Sequence, residues 1–163
     1  MIIEVEGDIL QSKAQVIAHG VAANDPMSQG LAKSLHESLP AMHKEYHQWC
    51  HTHHPKPGEI WSWISEDNVC IVNLITQEGG YGHGSQARPG KATLKNVSHA
   101  LHALNKFVIE NKYESLAIPR VATGVGNLDW ADVFPIIQKQ LGDLDIPVYV
   151  YSEFIEGLPA NEN

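Results

Sequence analysis

Residues 118–130, Ile-Pro-Arg-Val-Ala-Thr-Gly-Val-Gly-Asn-Leu-Asp-Trp, join an apolar run to two glycines and a helix-capping aspartate, Asp129. A strand, a glycine turn and a helix start in that order let backbone N–H groups converge on an anion. Glycine leaves the approach open, and a helix N-terminus carries partial positive charge. A phosphate or diphosphate is the chemistry such a turn serves, although glycines also occur in turns that need only a positive φ. Titratable candidates lie elsewhere. His19 follows an apolar run, and His83 stands with Tyr81 in a segment (77–90) holding five glycines in fourteen residues, which reads as a flap. His51, His53 and His54 lack a distant Cys, His or carboxylate at matching spacing, so they read as a helix C-terminal cluster, with no metal assigned.

The elements that must carry these residues are legible from periodicity. Strand-like runs fall at 2–5, 16–21, 59–64, 69–75, 115–119 and 148–151, and the third and fourth are joined by Ser-Glu-Asp-Asn, a hairpin-type connection. The run 69–75 is apolar nearly throughout, as in a strand buried on both faces. Leu31, Leu35 and Leu39 predict one helix, and Met42, Tyr46, Trp49 and Cys50 a second beyond Pro40. Leu94, Val97, Leu101, Leu104 and Val108 predict a third; Val133, Ile136, Ile137 and Leu141 a fourth, in which Pro135 demands a later start or a bend. Trp61 and Trp63 share one strand face, where burial is the default. Alternating strands and helices predict an α/β sandwich with helices on both faces of a mixed sheet, and ligands beyond the carboxyl ends of its strands. Loops 19–30, 76–90 and 122–129 lie there.

With 163 residues the chain is expected to form one domain, residues 1–155, with a tail at 156–163. Eleven Lys and Arg against 19 Asp and Glu give a net charge of −8, which argues against broad nucleic-acid binding. Ten histidines would reduce that negative charge sharply near their ordinary pKa. No apolar run reaches bilayer length, the N-terminus lacks a signal-peptide pattern, and Cys50 and Cys70 read as buried free thiols. Together these predict a cytoplasmic protein without membrane association.

Five stretches in order resemble a macrodomain: Gly7-Asp8-Ile9-Leu10, Val16-Ile17-Ala18-His19, Met27 to Gly30 opening a helix, Asn73-Leu74-Ile75-Thr76, and Ile118 through Trp130. The resemblance spans residues 3–151. It is nearest to the branch holding terminal ADP-ribose–protein glycohydrolase and the antitoxin macrodomains that reverse DNA ADP-ribosylation. It implies a three-layer α/β/α macrodomain sandwich around a mixed six-stranded sheet, ADP-ribose or an ADP-ribosylated substrate as partner, no cofactor and a monomer. Asp8 would select adenine through its carboxylate, with the Ile9 N–H donating to the ring. Thr123, Gly124, Val125, Gly126 and Asn127 would cradle the diphosphate. The loop from His19 through Met27 to Gly30 would border the distal ribose with Thr76 and Gln77, and Asn24 would hold its hydroxyls.

Two positions depart from the glycohydrolase pattern. A lysine nucleophile follows its Leu-Ile-Thr strand end; here that position is Gln77, and an amide is neither nucleophile nor base. Its aspartate in the diphosphate turn is Gly126 here, as in the antitoxin macrodomains. Ser28 and Gln29 replace small residues and would narrow the ribose end of the cleft. The flap resembles that of fungal ADP-ribose 1''-phosphate phosphatases, which carry a histidine after a Gly/Ser-rich run. The reading is therefore a hydrolase acting on the distal ribose, with His83 and His19 as acid or base and Asn24 holding the sugar. The alternative is a non-catalytic ADP-ribose reader.

Overall fold

The computed structural model describes residues 1–80 and 90–163. Six strands, β1 (Ile2–Gly7), β2 (Val16–Ala22), β3 (Ile60–Ile64), β4 (Cys70–Gln77), β5 (Leu116–Pro119) and β6 (Val148–Phe154), form one sheet in the order β1-β6-β5-β2-β4-β3. All neighbours are parallel except β3, which pairs antiparallel with β4 through the hairpin expected at Ser65 to Asn68. Its turn closes with Asn68 N–H on the Ser65 carbonyl at 3.0 Å, and Asn68 takes the left-handed conformation (φ 64°) that Asn tolerates. Every residue of β4 is buried, as its unbroken apolar run requires.

Strand alternation divides the core into two layers. Val16 and Ala18 of β2 pack with Val72 and Leu74 under α3 (Leu94–Glu110) and α4 (Trp130–Leu141). Ile17 and Val21 point the other way and pack with Ile71, Ile75, Leu35, Met42 and Tyr46 under α1 (Gly30–Ser38) and α2 (Pro40–His53). The three-layer sandwich is therefore present, and Cys50 and Cys70 are buried free thiols within it. Burial pushes both thiol pKa values up.

Helix starts follow local chemistry, with one exception. Thr93 caps α3, its hydroxyl accepting from Asn96 N–H at 3.1 Å, and Pro40 opens α2 at the position where its missing N–H costs nothing. Asp129 precedes α4 with extended backbone but makes no side-chain cap bond, contrary to expectation. The helix nevertheless begins at Trp130 and runs through Pro135 instead of starting after it. Trp61 and Trp63 are half-buried and not core residues, because β3 is an edge strand; Trp63 Nε1–H donates to Glu45 at 2.5 Å. At the end of α2, His53 Nδ1 lies 3.3 Å from the Trp49 carbonyl, in keeping with a helix C-terminal role.

Residues 155–163 lie along the body. The Leu158 carbonyl accepts from Asp8 N–H at 2.7 Å. The Glu162 carboxylate accepts from Ser12 Oγ (2.7 Å), Lys13 N–H (2.9 Å) and the Tyr151 hydroxyl (2.6 Å). Burial and the carboxylate of Glu162 push the Tyr151 pKa up.

Candidate functional site

The parallel strands β5 and β2 end side by side, and the loops leaving them open a cleft of about 650 Å³. One wall is the turn after β5. There Ala122 and Asn127 adopt left-handed conformations, Leu128 N–H returns to the Ala122 carbonyl at 3.0 Å, and Asn127 N–H to the Gly124 carbonyl at 3.0 Å. This tight return is why position 126 is glycine: a Cβ there would stand 2.6 Å from the Ala122 carbonyl oxygen. Gly124 serves differently, since an added Cβ would meet nothing and the missing side chain leaves space in the cleft. Among the described residues, the N–H groups of Thr123, Gly124, Val125 and Gly126 take no backbone partner, and all four residues line the cleft. Successive unpaired N–H groups ahead of a helix start form an anion receptor.

The opposite wall comes from the loop after β2 and the start of α1. Asp25 shapes this loop, one carboxylate oxygen accepting from Ala22 N–H at 2.9 Å and the other from Met27 N–H at 2.8 Å. Asp25, Ser28, Gln29 and Gly30 line the cleft. Gly30 begins α1 with φ 61°.

The floor carries His19 and Gln77, both buried and both facing the cleft. His19 Nε2 lies 2.6 Å from Asn73 Oδ1 on the adjacent strand β4. Burial pulls the His19 pKa down to about 4, against smaller opposing effects of Asn73 and the Asp25 carboxylate. The imidazole is thus neutral near pH 7, a state that fits the base, and not the acid, of the acid-or-base role expected of it. The Gln77 amide donates to the Gly90 carbonyl at 2.5 Å, tying together the two described ends of the loop that follows β4. Gly79 is pressed so close to the β2–α1 loop that a Cβ would overlap the Ala23 carbonyl.

Other expected residues are placed differently. Asn24 is corrected: its side chain does not line the cleft, and its amide donates to the Gly80 carbonyl at 3.1 Å while its N–H faces Cys50 Sγ at 3.2 Å. Met27 (φ 51°) buries its side chain in the core, and the Thr76 hydroxyl donates to the Val21 carbonyl at 3.4 Å; neither lines the cleft. Asn127 closes the turn from behind. Asp8 also stands off the cleft, one oxygen accepting from Leu10 N–H at 3.0 Å and the other from Gly157 N–H at 2.9 Å. Its neighbour Ile9 does line the cleft. His83, with Tyr81 and the flap, lies outside the described residues.

Several lining residues were not singled out from sequence, among them Asp25, Arg120, Phe154 and Glu156. Asp25 looked like part of an Asn-Asp-Pro turn. Arg120 Nε–H donates to the Ser152 carbonyl, and its guanidinium sits 5.3 Å from the Trp130 ring centre. Phe154, 63% exposed, and Glu156 line the end of the cleft nearest Ile9. For Arg120 and Trp130 the signal was present: a cation and an aromatic flanking the glycine turn.

No family model matches the chain. It is 25% identical over 149 residues to the human protein "ADP-ribose glycohydrolase OARD1", covering 91% of this chain and 89% of that one. It is 25% identical over 170 residues to a "DNA ADP-ribosyl transferase-DNA ADP-ribosyl glycohydrolase fusion protein" of Thermosipho africanus. That match covers 95% of this chain and 42% of the fusion protein, so the chain spans less than half of that relative. Among solved structures it superimposes on the "Macrodomain of Thermus aquaticus DarG" with a TM-score of 0.80 at 23% identity, covering 93% of this chain and 98% of that one.

Proposed function

The chain is a macrodomain by fold, and from that premise we propose that it binds ADP-ribose and hydrolyses a group from the distal ribose. The observation that carries the reading is the run of four unpartnered N–H groups at Thr123 to Gly126 in a cleft of about 650 Å³, a size suited to a dinucleotide-like ligand. A protein of net charge −8 can hold one diphosphate this way because the donors are backbone groups. On this reading the ligand runs along the sheet order. The adenine lies toward β1 and β6, between Ile9 and Phe154; the diphosphate lies over the end of β5; the distal ribose lies over the ends of β2 and β4, beside His19, Gln77 and Asp25.

Hydrolysis at that ribose needs a water activated and placed. With Gln77 in place of a lysine, no covalent amine intermediate forms at that position. Asp25, held by two backbone N–H groups at the ribose end, is the described carboxylate suited to accept a proton from water, and His83 keeps the role read from the sequence. The substrate class is an ADP-ribose conjugate: an ester-linked protein, a nucleobase, or the 1''-phosphate. A second reading, a reader without turnover, is favoured by Gln77 itself, whose amide is committed to the Gly90 carbonyl.

Phosphorus NMR tests both. Added ADP-ribose is expected to show shifted diphosphate resonances, and ADP-ribosylated DNA, ADP-ribosylated protein or ADP-ribose 1''-phosphate is expected to turn over, with loss of turnover in Asp25→Asn. Binding without turnover of any of the three would establish the reader; unchanged diphosphate resonances would refute both.

A further inference from the structure

We infer that His19 is a specificity-determining hydrogen-bond acceptor, its Nδ1 lone pair locked to receive a hydroxyl of the distal ribose. The inference rests on the ADP-ribose reading above and goes beyond it, because it reverses the part that a cleft histidine would be expected to play.

The lock is set by what surrounds the ring. Asn73 is fully buried between His19 and Met42, with its Nδ2 4.0 Å from the Met42 thioether sulfur. A thioether accepts and never donates, so the amide nitrogen belongs on that side and the carbonyl oxygen faces the imidazole. A carbonyl oxygen accepts only, so Nε2 of His19 must carry the proton across the 2.6 Å contact. A neutral imidazole holds one proton, which leaves Nδ1 with a bare lone pair. That atom is buried and has no hydrogen-bond partner among the described residues.

Position decides what it receives. Nε2 is committed to Asn73 on β4, so Nδ1 is the ring nitrogen that remains for a ligand in the cleft that His19 lines. His19 on β2 and the turn Thr123 to Gly126 after the neighbouring strand β5 line the same cleft, with His19 on the side away from β6 and β1, where Ile9 and Phe154 lie. The next group along a nucleoside diphosphate in that direction is the sugar beyond the second phosphate. A buried acceptor without a donor is unfavourable, so a ligand bringing a hydroxyl is preferred over one that ends at the phosphate. Depression of the His19 pKa to about 4 keeps the acceptor available across physiological pH.

The test compares ADP-ribose with ADP, which lacks the distal sugar. In the unaltered protein labelled with nitrogen-15 histidine, the His19 signals at pH 7 are expected to show the proton on Nε2. Its Nδ1 resonance is expected to move on adding ADP-ribose and to stay still with ADP. His19→Phe, which keeps a planar ring and removes the acceptor, is expected to weaken ADP-ribose about tenfold or more while leaving ADP unchanged. A proton found on Nδ1, an Nδ1 signal unmoved while ADP-ribose binds, or equal losses for both nucleotides in a folded variant would overturn the proposal alone. Absence of any ADP-ribose binding by the unaltered protein would overturn the ADP-ribose reading and the proposal with it. Should His19→Phe fail to fold, the nitrogen-15 measurement decides by itself.

Discussion

Two glycines two residues apart in one turn are there for different reasons, and substitution separates them. Gly126 is required by the 2.6 Å approach of its would-be Cβ to the Ala122 carbonyl, so Gly126→Asp is expected to destabilise the fold by about 1–3 kcal/mol, read as a lower urea midpoint. The aspartate that the glycohydrolase carries at this place would thus strain the turn before it supplied any chemistry. Gly124→Ala meets open space and is expected to change stability by less than ~1 kcal/mol while weakening ADP-ribose in a titration, because the methyl enters the cleft. His19 adds a pH signature. Between pH 6.5 and about 4 the unfolded chain takes up a proton at this position that the folded protein excludes. Stability therefore falls as pH falls through that window, by roughly 3 kcal/mol in all. Burial also lowers the pKa values of His43 and His47, which act in the same direction. Urea midpoints measured against pH are expected to fall less steeply in His19→Gln than in the unaltered protein.

At the scale of elements, much of the architecture was legible because its signals are local. The heptad-like spacing of Leu94, Val97, Leu101, Leu104 and Val108 places four of those five residues in the core under α3, with Leu94 partly exposed at its start. Thr93→Ala is expected to cost about 1 kcal/mol by chemical denaturation, since it frees the Asn96 N–H without touching the core. What was not legible depended on how elements meet. Asn24 beside Asp25 looks like any turn asparagine; only the packing of α2 and the Gly80 carbonyl against it turns its amide from the cleft. The pairing of His19 with Asn73 requires β2 and β4 to be neighbours in exact register, across 54 residues of sequence. Asp129 shows the converse: a good capping residue at the right place whose side chain makes no cap bond.

For the whole molecule, the cleft draws on distant parts of the chain. Ile9 and Phe154 share one end of it, and the Asp8 carboxylate holds Leu10 and Gly157 together beside it. Glu162→Ala would remove the acceptor shared by Ser12, Lys13 and Tyr151. It is expected to speed proteolytic clipping within residues 155–163 and to lower stability by about 1–3 kcal/mol. Unchanged clipping would mean that the Leu158 and Gly157 backbone contacts hold that segment by themselves.

The parallel pairing of β1 with β6 has a consequence in time. Among the described residues β1 pairs with β6 alone, and its partners, Val148 to Phe154, come after the other five strands of this sheet in the chain. A nascent chain therefore carries Ile2 to Gly7 unpaired while β2 to β5 are made, and this strand waits for a partner that is synthesised after them. Ribosome-stalled chains are expected to become resistant at their N-terminus only once β6 has cleared the exit tunnel.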